Sequence, residues 1–547
     1  MNGTPPLATP PAPPRASRAV VAWLLVALAW GLATLPGAVD RPLTRASEAR
    51  AWAVARTMVE SGDWVLPRYQ GEARLKKPPL QSWVQAAVMS VAGRTDVALA
   101  GLGTWLVGLL FAAGPLLLGR AVGRHDEGLL GSLLLCASRA AVTWGASPEH
   151  DVPFAAWTGL SFAALARALA PTGRPRDLGV AALACGAAVL TKGPFALAFV
   201  PGTALVLRAR ADTRGPLRGR VFWPVLLGGA VLPALLWLGA VAARHGSVSA
   251  VFTEMATQAS GSEGAHTKPF PTSLVYHLGA WAKACLPWSP LALLAAAHLG
   301  VLRRRGLARD DGPALLVPAV AAGVVFVVLT ATPAKQEHYV LPLLAPVALA
   351  VAHGLGRVGA AVPRAARALP VALLLVGLAY AGSRWWSLRG QPFPVGVSWP
   401  AVVAVGLLSA LVAWRSLPLA ALVVAAALGL SGACDAARGL AEEDYRASAR
   451  ASELAGDGSV RLVGFARGGG EAFDTLVAWL PGAYERVRSV EALTDALARP
   501  GPVAVLVRVS DLADLGGAAA ALTRRGTLAP ARPGSDRDRV AWFARAR

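Results

Sequence analysis

VALAGLGTWLVGLLFAAGPLLLGR, residues 97–120, decides how the rest of the chain is read. From Val97 to Gly119 it carries no charged residue, and about 20 such residues cross the hydrocarbon of a bilayer as a helix. Arg120 and Arg124 follow, where basic residues are expected at a membrane surface. Working outward, apolar runs recur at Ala19–Pro36 and near 128–145, 152–170, 178–191, 193–208, 221–243, 276–301, 313–331, 339–355, 365–384, 396–413 and 416–433. With the span near 96–118 they predict an α-helical polytopic membrane protein of about thirteen transmembrane helices. The runs 178–191 and 193–208 are short and rich in Gly and Ala, so they could tilt or stop partway across. No small-residue cleavage pattern follows Ala19–Pro36, which therefore reads as a retained anchor.

Composition agrees and excludes an ordinary soluble enzyme. Of 547 residues, 55% are hydrophobic and 16% charged, with a mean hydropathy of +0.49. Orientation follows from arginines in the short loops. Arg15 and Arg18 precede the first span, Arg120 and Arg124 follow the second, and Arg167, Arg174 and Arg176 follow the fourth. Arg303, Arg304, Arg305, Arg357 and Arg415 continue the alternation. Every second loop is thus expected to be cytoplasmic, together with the N-terminus. The intervening loops, including 37–95, and everything beyond about residue 436 are expected outside a bacterial-type inner membrane.

A net charge of +21 could suggest nucleic acid. The excess lies in the membrane part, since residues 436–547 hold sixteen Lys or Arg against fourteen Asp or Glu. Basic loops beside anionic lipid explain it, and no nucleic-acid partner is expected. Cys136, Cys185, Cys285 and Cys434 lie in or beside predicted spans without CxxC spacing, so neither disulfides nor a zinc site is indicated. Three regions result: a disordered, Pro-rich cytoplasmic segment 1–17, a transmembrane domain 18–435, and a small α/β domain 436–547. In the tail, Val460–Phe465, Tyr484–Arg488, Val503–Val509 and Val540–Ala544 read as strands. Helical stretches near 445–455, 471–479, 489–498 and 511–525 alternate with them.

The outer loops carry the chemistry. The first reads Arg45-Ala-Ser-Glu48-Ala-Arg50, then Ser61-Gly-Asp63-Trp64, then Leu75-Lys-Lys77-Pro-Pro-Leu80. Helical spacing over Ala46–Met58 and Leu80–Val91 predicts two surface helices. Glu149-His150-Asp151 ends the next outer loop, where carboxylates can be simple helix caps. Leu190-Thr-Lys192-Gly-Pro194 leaves an ammonium among apolar neighbours, which at membrane depth points to function. His266-Thr-Lys268-Pro-Phe270, Leu286-Pro287-Trp288 and Lys335-Gln-Glu337-His338-Tyr339-Val-Leu-Pro342 complete the set. Taken singly, each has a plain structural alternative, a snorkelling lysine or a helix-start turn. Placed on one side of the membrane, Glu48, Lys77, Asp151, Lys192, Lys335 and His338 can meet.

In this order, the first-loop acid, SGDW, KPP, LTKGP, HxxPF with LPW, and KxxHYxLP resemble the GT-C membrane glycosyltransferases that use polyprenyl-phosphate sugars. The bacterial lipid A aminoarabinose transferases and the protein O-mannosyltransferases are the members most similar. The resemblance covers about residues 18–440, and the α/β tail fits the same layout. It implies the GT-C fold and inverting transfer from a polyprenyl-phosphate-linked sugar to a glycolipid or protein acceptor outside the membrane. It also implies roles. Glu48 or Asp151 would accept the acceptor's proton, while Arg50, Lys77, Lys192, His266, Lys335, His338 and Tyr339 would bind the donor sugar and its leaving phosphate. One departure stands out. The family's first loop carries Asp-Glu followed two residues later by Arg, and Ser47 occupies the aspartate's place. Either Glu48 takes over as the essential carboxylate, or Asp151, at the family's second acidic position, carries more of the burden, or the enzyme is altered or inactive; Glu48 is the favoured carboxylate. A divalent metal is left open, because Glu48, Glu149, His150 and Asp151 are ligands suited to Mg, Mn or Zn but form no complete set at fixed spacing. The alternatives from other classes are a lipid or solute transporter, whose polar groups would line the bilayer midplane, and a non-catalytic envelope assembly protein.

Overall fold

The computed structural model describes residues 16–38, 43, 45–69, 72–145, 147–209, 219–249, 251–253, 271–304, 312–333, 335–387, 416–441, 460–465, 485–487, 489–528 and 540–545. The Pro-rich segment 5–14, His266 with its loop, the expected span 396–413 and the tail helices expected near 445–455 and 471–479 lie outside them.

Helix α1 (Ala16–Thr34) leads into the first long loop. Both surface helices expected there are present, α2 (Ala46–Ser61) and α3 (Leu80–Ala92). Each ends at a glycine with a left-handed backbone, Gly62 at φ 69° and Gly93 at φ 64°, a conformation that costs a residue with a Cβ. Between them a two-stranded hairpin, β1 (Arg68–Tyr69) and β2 (Glu72–Ala73), forms where no strand is expected.

The membrane bundle follows as α4 (Val97–Ala121), α5 (His125–Cys136), α6 (Arg139–Trp144), α7 (Asp151–Leu169), α8 (Pro175–Lys192), α9 (Phe195–Ala209) and α10 (Gly219–His245). After the 254–270 segment come α11 (Thr272–Ala284), α12 (Ser289–Arg304), α13 (Gly312–Ala331), α14 (Leu341–Ala361), α15 (Pro363–Ser387) and α16 (Leu417–Ala441). Among the described residues five helices are long and apolar enough to cross a membrane. Two expected spans are each divided in two. The 128–145 run breaks at Ser138, whose hydroxyl accepts the Ala141 N–H and so begins a new helix. The 276–301 run breaks at Cys285–Trp288, where turn hydrogen bonds from Leu286 N–H to Lys283 and from Trp288 N–H to Cys285 replace helical ones around Pro287.

Burial ranks the helices. The apolar windows of Asp151–Leu169 and of Glu337–Ala360 are 83% and 78% buried, against 22% for Arg220–His245. Helices α7 and α14 are therefore the interior of the bundle, packed on α4, α5 and α8, and α10 lies on its outside against α8. Small residues allow the close approaches. A Cβ on Gly186 of α8 would stand 2.6 Å from the Gly229 carbonyl of α10, the kind of backbone contact that holds helices together where lipid gives no hydrophobic drive.

In the tail, β3 (Arg461–Phe465), β4 (Glu485–Val487), β5 (Val503–Arg508), β6 (Leu522–Leu528) and β7 (Val540–Arg545) form one sheet in the order β4-β3-β5-β7-β6. Strand β3 is parallel to β4 and β5, whereas β7 is antiparallel to β5 and β6. Helix α17 (Val490–Ala498) and the 3-10 segment Val509–Ala521 cover it, enclosing Phe465, Leu493, Val505 and Leu515. The helix expected near 511–525 is replaced at its end by β6. Gly516, at φ 49°, carries the chain out of helical geometry, and pairing with β7 then satisfies the backbone from Leu522 onward.

Candidate active site

Antiparallel packing explains why distant loops converge. Helix α7 starts where its partner α8 ends, so Asp151, the first residue of α7, faces Lys192, the last of α8. An acid at a helix start and a base at a helix end each suit the local backbone dipole. Gly193, at φ 99°, turns the chain sharply after Lys192. The Lys192 ammonium donates to Asp151 Oδ1. It also sits 4.3 Å from the centre of the Tyr339 ring and 5.8 Å from that of Phe154, a cation over aromatic faces.

His338 and Tyr339 come from the 3-10 turn Glu337–Val340 that leads into α14. His338 Nε2 is 3.5 Å from the same Asp151 oxygen, and its ring meets Trp144 edge-on at 6.5 Å. Asp151, Lys192, His338 and Tyr339 line one cavity, whose other walls are Phe154, Phe195, Phe199, Leu329 and Pro342. A tight polar group therefore opens onto an apolar trough. Its side chains are nearly closed to water, with Lys192 at 8% and Asp151 at 10% exposure.

Lys77 stands on the Pro78-Pro79 turn before α3, half-buried. Burial and then the charge of Lys192 draw its ammonium down from 10.5 to about 7, against the opposing pull of Asp151. His150 is lowered to about 3 by burial and next by Lys77, so its imidazole is neutral at physiological pH.

The remaining acids form a second cluster. Glu48 is fully buried in the first turn of α2. It accepts the backbone N–H of Arg45 at 3.2 Å and the Ser147 hydroxyl at 2.7 Å, and lies 3.3 Å from the Arg45 guanidinium. Glu149 accepts from Arg45 Nη1 at 3.0 Å and from the Ser47 hydroxyl. Burial nevertheless raises the Glu149 carboxyl, with the Arg45 charge opposing. Glu48 thus joins the start of α2 to the loop at Ser147, and it does not line the Asp151 cavity. Arg50 is on the same helix, half-buried, and is likewise not among the cavity's walls.

Lys335 is 2% exposed. Its ammonium donates to the carbonyls of Leu329 at 2.7 Å, Thr330 at 3.0 Å and Thr332, closing the end of α13. Sequence reasoning did not single out Arg45, Ser147, Trp144 or Arg139. Arg139 lies 3.5 Å from Glu337, which also accepts from Lys283 at 2.7 Å. A lone arginine in an apolar run, after a Ser that can cap, was the available signal.

As to a metal, the Glu48 oxygens face Arg45 and Ser147, and the nearer Asp151 oxygen faces Lys192 and His338. No group of three His, Cys, Asp or Glu converges among the described residues.

Residues 76–237 match the family model described as dolichyl-phosphate-mannose-protein mannosyltransferase. The undecaprenyl phosphate-alpha-4-amino-4-deoxy-L-arabinose arabinosyl transferase of Pseudomonas paraeruginosa is 31% identical over 342 residues, covering 61% of this chain and 59% of that one. The protein of the same name from Serratia proteamaculans is 27% identical, covering 60% and 58%. The aligned part therefore spans about three-fifths of these relatives. Over the whole chain, the crystal structure of ArnT from Cupriavidus metallidurans bound to undecaprenyl phosphate superimposes with a TM-score of 0.72 at 19% identity, covering 97% of this chain and 98% of that one. That likeness carries the fold. The chain is thus similar in sequence, over part of its length, to dolichyl-phosphate-mannose-protein mannosyltransferases and undecaprenyl phosphate-aminoarabinose arabinosyl transferases, and it shares the fold of ArnT.

Proposed function

We propose that the chain is an integral membrane glycosyltransferase that moves a sugar from a polyprenyl-phosphate donor to a hydroxyl of an extracytoplasmic glycolipid or protein, with inversion. The observation that carries this is the Asp151–Lys192–His338 group opening onto an apolar trough. A sugar phosphate is already activated, so the enzyme must position an acceptor, take its proton and stabilise the departing phosphate. Asp151, rather than Glu48, is our base: it faces the cavity, while Glu48 is bound into the start of α2. The acceptor oxygen attacks the anomeric carbon as the carbon–phosphate oxygen bond breaks. The acceptor's proton passes to Asp151, and the electron pair leaves with the polyprenyl phosphate. Lys192, with Lys77, neutralises that phosphate, and His338 can donate a hydrogen bond to it. Phe154, Phe195 and Phe199 would receive the first isoprenoid carbons, each buried methylene contributing about 0.8 kcal/mol.

The names of the relatives suggest undecaprenyl-phosphate aminoarabinose as the donor to try first. In this reading the chain has about thirteen spans. The Asp151 end and an α/β domain at 436–547 are periplasmic, and the N-terminus is cytoplasmic. The polar groups of the cavity sit at helix ends, unlike the midplane path of a transporter. The test is transfer of radiolabel from a panel of polyprenyl-phosphate sugars into envelope acceptors, using membranes with wild-type or Asp151→Asn protein. Transfer by the wild type that Asp151→Asn abolishes supports the proposal; no transfer from any donor rejects it.

A further inference from the structure

At the other end of the bundle lies a second, open groove of about 690 Å³, between α1 and the connection from α4 to α5. It is far from the Asp151 cavity. Arg120 ends α4, whose start lies beside α3, and a helix of 25 residues is about 37 Å long. Helices α5 and α6 then run back to Trp144, which touches His338.

The charged residues of this groove are Arg18, Arg120, Arg124, Asp126 and Glu127, with His125 among them. Glu127 is drawn to Arg124 at 3.7 Å and to the buried His353 of α14 at 3.1 Å, and Asp126 is exposed. Three guanidiniums against two carboxylates leave one positive charge. Burial and then the Arg120 charge hold His125 below its usual range, so it adds none at neutral pH. The rest of the wall is apolar, with Val21 and Ala22 of α1, Leu116 of α4 and Leu129 of α5. It is continuous with the outward face of α1, where Val20, Leu24 and Leu28 are 57%, 63% and 52% exposed.

We propose that this groove binds an anionic phospholipid of the leaflet opposite the Asp151 cavity, its phosphate at Arg18, Arg120 and Arg124 and an acyl chain along α1. Guanidinium groups match phosphate oxygens in pairs. A single net positive charge complements one phosphodiester, and the apolar wall suits a chain that remains in the bilayer. A zwitterionic choline headgroup would bring its cation against the arginines. The site takes no part in the transfer chemistry and stands whether or not that reading holds.

The test is native mass spectrometry of the purified full-length protein in detergent, titrated with palmitoyl-oleoyl phosphatidylglycerol or phosphatidylcholine. Wild type is expected to retain a phosphatidylglycerol adduct in preference to phosphatidylcholine. Each arginine removed should weaken it by about fivefold, the factor that one basic residue near an anionic membrane confers. Arg120→Gln with Arg124→Gln should abolish the preference. Because Arg124 supports the start of α5, Arg18→Gln on the exposed first turn of α1 is the second variant, expected to lose fivefold with its melting temperature unchanged. Equal phosphatidylglycerol binding by wild type and both variants would overturn the proposal. So would displacement of the adduct by millimolar inorganic phosphate, which marks a free-phosphate site.

Discussion

The Asp151 group and the Glu48–Glu149 group are both buried clusters of acid and base at one end of the bundle, and they differ in what their charges face. Glu48 and Glu149 turn to Arg45, Ser47 and Ser147, joining α2 to the loop before α7. Asp151 and Lys192 turn to each other and to a cavity. A carboxylate whose hydrogen bonds are complete within the fold stabilises; one that faces a cavity can also exchange a proton with what enters it. Proximity to the site and burial do not distinguish the two clusters, and access does.

The largest effect that could break this comparison is the loss of the proposed base. Asp151→Asn is expected to lower transfer by about 10²–10⁴-fold, read as initial rates of label transfer at matched protein levels. Activity within tenfold of wild type would remove Asp151 from its role. Next comes pH. Lys77 is charged below its value of about 7 and neutral above it, so a need for its ammonium at the donor phosphate makes kcat/KM fall about tenfold per unit as pH rises past 7. In Lys77→Arg that limb should disappear from the range up to pH 9, and an unchanged profile would show that another group controls it.

Glu48→Gln sharpens the contrast from the structural side. It keeps the volume but weakens the bonds to Arg45 and Ser147, at an expected cost of about 1–3 kcal/mol. The melting temperature of purified protein should drop while transfer per folded molecule stays within about threefold. Abolished transfer with unchanged melting would give the catalytic role back to Glu48. The smallest effect is expected for Lys335→Gln, which loses charge-assisted bonds to the α13 carbonyls. About 1 kcal/mol of stability should go, with the KM for donor unaltered; a raised KM would place Lys335 at the donor phosphate after all.

Much of the architecture was legible. Uncharged runs such as Val97–Gly119 reveal helices because a bilayer tolerates few charges, and α2 and α3 were readable from apolar residues at helical spacing. Breaks at Ser138 and Cys285–Trp288 were not, since each depends on a local hydrogen bond that competes with the helix only in the packed bundle. Strand β6 was hidden because its first residues read as the end of a helical stretch, and its backbone is satisfied only by pairing with β7 in the folded sheet.

Asp151, Lys192, His338 and Tyr339 could be named from sequence because ionisable and polar residues beside apolar spans stand out, and alternating arginines put their loops on one side. Their convergence required only that α7 and α8 be antiparallel neighbours. Sequence could not divide Glu48 from Asp151, or Lys335 from Lys192, as each pair has the same chemistry in the same kind of loop. Which way a side chain turns depends on its unpaired backbone neighbours: the carbonyls at the end of α13 take Lys335, and the N–H at the start of α2 takes Glu48. Composition and periodicity thus determined the membrane, the helices and the list of candidates, because transfer free energy is a local property of residues. Tertiary structure alone decided which candidates face a cavity, because hydrogen-bond satisfaction is settled between segments that meet only in the folded chain.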